Sequence, residues 1–95
     1  MMQYHEFKES VKAALVPEKL PLHLQSLWYD AKGDWTKAHE IVQGIEDKDA
    51  AWVHAYLHRK EGDMGNADYW YARAGKSRPE ERLTTEWETI VKALL

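Results

Sequence analysis

Ninety-five residues fit one domain, and a chain this short buries only about 60 to 65% of the surface it exposes when unfolded, so large side chains must supply its core. Five Trp, five Tyr and one Phe can do so; the absence of Cys excludes disulfides, a thiol nucleophile and a thiolate metal site, and fits a reducing compartment. Thirteen basic and sixteen acidic residues, a net charge of −3 spread along the chain, create no positive field to hold nucleic acid or an anionic membrane.

The opening stretch MMQYHEFKES carries acids where a signal peptide needs a basic and then an apolar segment, and no apolar run approaches the roughly 18 residues that span a bilayer. A soluble, cytoplasmic protein is expected. Tyr4, Phe7, Val11 and Leu15 recur at three- and four-residue steps, predicting a helix over about residues 3–14 that ends before Pro17. Pro21 suits the first turn of a second helix, whose stripe of Leu24, Leu27, Trp28 and Ala31 stops near Gly33. Asp34 can cap a third helix carrying Trp35, Ala38, Ile41 and Val42, closed by Gly44.

After the acidic loop IEDKD, Asp47 or Asp49 can cap a fourth helix that runs to Gly62, and Asp63 a fifth that ends at Gly75. Ser77 and Glu80 have capping-box spacing around Pro79, predicting a sixth helix over about 79–94 with Leu83, Trp87, Ile90, Val91 and Leu94 on one face. No strict alternation suggests a strand. The expected fold is all-α, a single domain of about six helices over residues 1–95.

Aligning LWYDAKGDWTKAHEIV with YLHRKEGDMGNADYWY on their Gly-Asp pairs places Ala38 on Ala67 and Val42 on Tyr71. Two helices joined by a tight Gly-Asp turn, occurring twice, describe stacked hairpins over about 20–44 and 48–75. These residues resemble the tetratricopeptide superfamily and its Sel1-like relatives. Ala55, Gly62-Asp63, Ala67, Tyr71, Ala74 and Pro79 carry the likeness in the second hairpin; Ser26, Tyr29, Gly33-Asp34-Trp35 and Ala38 carry it in the first. His58 departs from the pattern by standing where the family presents an aromatic. The run WVHAYLHRKEGDMGNADYWYARAG also looks like a segment of small microbial proteins.

His54 and His58, four residues apart on one helix, can present two imidazoles to one metal, with His39 and Glu40 as the source of a third ligand. Ala55 stands where HExxH would require Glu. The competing reading makes both histidines partly buried structural groups hydrogen-bonded across the hairpin. Asp30, Asp34, Glu61 and Asp63 read as caps or solvated acids, and no nucleophile elbow or phosphate loop occurs, so no enzyme and no cofactor is expected. Of Tyr69, Trp70 and Tyr71, the last two suit the core and Tyr69 the surface beside Arg73.

Resemblance to the family implies that the first helices of each pair line a concave surface that binds a peptide or partner helix. His23, Leu27 and Asp30, then Trp52, Tyr56, Arg59 and Lys60, would form it, with Arg59 and Lys60 meeting a carboxylate. The leading expectation is therefore a non-enzymatic protein-interaction module. The alternatives are metal or small-ligand binding through His39, His54 and His58, and self-association, as in a homodimer. Should the terminal helices fold over Trp52 and Tyr56, that surface would be core instead.

Overall fold

The computed structural model describes residues 2–95, and among them the chain forms six helices and no strand. They are α1 (Tyr4–Lys12), α2 (Leu22–Ala31), α3 (Trp35–Gln43), α4 (Lys48–Glu61), α5 (Met64–Arg73) and α6 (Leu83–Leu94). None is long and apolar enough to cross a membrane.

The two Gly-Asp turns are alike down to their hydrogen bonds. Gly33 and Gly62 sit at φ 87° and 88°, a left-handed conformation that costs glycine nothing. The following Asp N–H reaches back five residues in each case, Asp34 to the Tyr29 carbonyl at 2.9 Å and Asp63 to the His58 carbonyl at 3.0 Å. Each Asp carboxylate then caps the next helix, Asp34 accepting from Lys37 N–H at 3.1 Å and Asp63 from Asn66 N–H at 3.2 Å. Asp47 caps α4 in the same way, and the N–H of Ala50, more than its bond to His23, holds its carboxyl below the usual range.

α4 is the central element. It packs against α2, α3, α5 and α6, and Val53, Ala55 and Leu57 along it are fully buried. On one side the core gathers Phe7, Leu24, Leu27, Trp28, Val42, Ile90 and Val91; on the other, Ala55 meets Ala67 and Tyr71 between Trp52 and Trp70. Two small residues at that crossing let α4 and α5 approach closely. α1 and α6 close the bundle through Trp87, whose ring lies 5.8 Å from Phe7 and 6.2 Å from Tyr4 while its indole N–H donates to the Leu27 carbonyl at 3.0 Å.

Two helix ends differ from the sequence expectation. α1 stops at Lys12, about two residues short of the expected end near 14, because Ala14 turns left-handed at φ 56° and Leu15 N–H closes onto the Ser10 carbonyl. α6 begins at Leu83 rather than near residue 79, so the Ser77/Glu80 capping box does not form. The residues before it cross from α5 to α6 in irregular conformation, held by Arg59 on the Glu81 carbonyl and by Arg78 on Asp68 at 3.2 Å.

Candidate metal centre

His54 and His58 share the side of α4 that faces α3, and α3 brings His39 to meet them. The ligand-capable atoms of the three rings lie within 4.8 Å of one another. His39 Nε2 and His54 Nε2 are 2.9 Å apart, one donating to the other, and the His54 and His58 rings stack at 4.8 Å. His54 and His58 are buried and His39 is half-buried.

Each ring is braced from outside the cluster. Trp35, one turn before His39 on α3, stacks on it at 4.9 Å with planes only 9° apart, and donates its own N–H to the Leu57 carbonyl at 2.8 Å. Trp70 of α5 stacks on His54 at 4.0 Å. Glu61 lies 2.7 Å from His58 Nδ1. A proton on that Nδ1, donated to Glu61, leaves the Nε2 lone pair of His58 free, the arrangement by which a carboxylate orients and enriches a metal-binding histidine.

The electrostatics favour neutral His39 and His54. Burial first, then the charges of His39 and His58, lowers His54 from 6.5 to about 4. His39 is lowered too, by burial and then by His58. At neutral pH His39 and His54 each offer one ring lone pair, and the proton shared between their Nε2 atoms must leave that contact for an ion to take both. Zinc–nitrogen bonds of about 2.0–2.1 Å place tetrahedral ligand nitrogens about 3.3 Å apart. The His39–His54 pair at 2.9 Å needs only a small opening to take an ion. Glu40, the other candidate from α3, is exposed and is not part of the cluster.

The opposite face of α4 carries most of the residues expected to bind a partner, and they are engaged internally. Asp30, 2% exposed, accepts from the Tyr56 hydroxyl and from Lys60 Nζ, both at 2.9 Å. Glu86 of α6, 1% exposed, accepts from Arg59 Nη1 at 2.8 Å and from the Tyr71 hydroxyl at 2.6 Å. Burial is the first cause that raises both tyrosines, and the adjoining carboxylates raise them further.

His23 lies apart, with Nε2 at 2.9 and 3.0 Å from the two Asp47 oxygens, fastening α2 to the start of α4. Trp52 is half-buried between the two core clusters, under the Lys76 ammonium at 4.0 Å from its ring. Trp52, Tyr56 and Arg59 thus present no common open face: α6 lies over Arg59, and Tyr56 is buried. Glu86 was missed from sequence, although it falls between Leu83 and Ile90 on the apolar stripe of its helix, the position of a core residue.

Comparison of the chain with protein-family models, with curated proteins and with solved structures finds no match.

Proposed function

We propose that this chain binds a divalent transition-metal ion through His39, His54 and His58. One observation carries the reading: three imidazoles, each held by a separate outer partner, bring their ligand-capable atoms within 4.8 Å of one another. An all-imidazole donor set suits zinc, copper, nickel or cobalt and disfavours calcium and magnesium, which take oxygen ligands. Three protein ligands leave a tetrahedral ion one further position, for water or a small ligand. No catalytic step is assigned to it.

A partner-binding role through His23, Asp30, Trp52, Tyr56, Arg59 and Lys60 has less support, because Asp30, Tyr56 and Arg59 are already bonded within the fold. The two like Gly-Asp turns support the tetratricopeptide-like resemblance, which stands here as a proposal for the scaffold.

Isothermal titration with zinc tests the reading. One ion should bind per chain, His54→Leu and His39→Phe should abolish binding in folded protein, and His5→Ala should leave it unchanged. Glu61→Gln should weaken it by about 10- to 100-fold, through loss of the His58 orienting bond. Absence of saturable binding, or binding that survives His54→Leu, would reject the site.

A further inference from the structure

α1 and α6 roof the face formed by α2 and α4 but do not seal it. Between them remains a cavity of about 530 Å³, remote from the histidines. Tyr4, Val11, Leu83 and Trp87 wall it, with Tyr56 and Ala31 also lining it. One turn of helix, 5.4 Å long and 10–12 Å across, fills about 500 Å³. The space is therefore too small for a partner helix and falls in the range of small-molecule sites.

The polar groups lining this cavity are unequal in sign. Asp30 is its one acid, and Lys60 and Tyr56 already neutralise and saturate it. Lys8 and Lys12 are the remaining charges, both exposed. Lys8 lies over the Tyr4 ring at 5.7 Å and enters no ion pair among the described residues; Lys12 has only the loose, solvated Glu9 at 3.6 Å. Glu88, beside Tyr4, is paired with Lys92 at 3.3 Å. In a chain of net charge −3, an aromatic slot with two available ammonium groups is a local reversal of sign.

We propose that this groove binds a small apolar carboxylate, its hydrocarbon body against Tyr4, Val11, Leu83 and Trp87 and its carboxylate toward Lys8 and Lys12. A cation would meet like charge there. A neutral molecule would gain no charge contact from either ammonium group.

Proton–nitrogen correlation spectra recorded during titration with octanoate, octanol and octylammonium distinguish these cases. Octanoate should shift the resonances of Tyr4 and the Trp87 indole and bind about fivefold more tightly than octanol, a gain typical of two solvent-exposed charge contacts. The Lys8→Gln/Lys12→Gln double variant should erase that preference while leaving octanol affinity unchanged. Ala31→Phe, filling the groove from an exposed position, should remove binding of both. Octanol binding as tightly as octanoate, tighter binding of octylammonium, or no shift at Trp87 in folded protein would overturn the proposal. Tighter binding of an acetylated peptide ending in Leu would overturn the choice of occupant.

Discussion

The two faces of α4 bury polar groups by opposite strategies. Toward α2 and α6, Asp30 and Glu86 each receive a cation and a tyrosine hydroxyl, so every carboxylate oxygen has a donor. Toward α3, the three imidazoles face one another, with aromatic planes and one carboxylate behind them. The first arrangement is complete as it stands, and a ligand that took one of its donors would break it. The second gathers three ligand-capable rings at one point, where a cation would satisfy their nitrogens better than a neighbouring imidazole does. Burial alone thus does not separate a structural polar group from a binding one; the direction in which its unused electron pairs converge does.

Removing a partner from the complete face should cost most. Glu86→Ala leaves Arg59 and the Tyr71 hydroxyl without their acceptor, and unfolding in urea should show a loss of about 3–5 kcal/mol. A cost below about 1 kcal/mol, within the range of a surface pair, would mean that water replaces the carboxylate and that this face is not closed. At the α4–α5 crossing, Ala67→Leu should cost about 1–3 kcal/mol by overpacking against Ala55. The same variant should weaken zinc binding, because Trp70, which stacks on His54, packs against that cluster.

The histidine face should tolerate apolar replacement in the absence of metal. His54→Leu leaves half-buried His39 able to turn to water, so apo stability should change by about 1 kcal/mol or less. Such a contrast with Glu86→Ala would sharpen the distinction between the faces, and equal costs would erase it. A pH dependence accompanies this contrast. The unfolded chain protonates His54 below 6.5, whereas the native chain resists until about 4. Stability from this residue is therefore complete above pH 6.5 and is lost as pH falls toward 4. His54→Leu should flatten apo melting temperature across that interval, and an unchanged slope would place the titration elsewhere.

Much of this was legible because it is local. Gly33, Gly62, Pro21 and the capping aspartates punctuate the chain, and three- and four-residue spacing marked the stripes that became the core. Tyr69 at 53% exposure and Tyr71 at 1% follow from the helical phase alone. His54 and His58 were paired by that phase as well. Bringing His39 to them required the packing of α3 on α4, and fixing the rings required Trp35 and Trp70, which no local pattern specifies. The least legible feature was α6: its late start at Leu83, the inward Glu86, and the cover it places over Arg59 all depend on partners far away in sequence.

Long-range proton–nitrogen spectra of the imidazoles, recorded before and after one equivalent of zinc, address the convergence of the three rings most directly. Of the five histidines, His39, His54 and His58 should move together to the shifts of metal-bound nitrogen in slow exchange, while His5 and His23 stay in place. Zinc that leaves His39 and His54 in their mutual hydrogen bond, or that moves His5 or His23 instead, would contradict a metal centre on this face of α4.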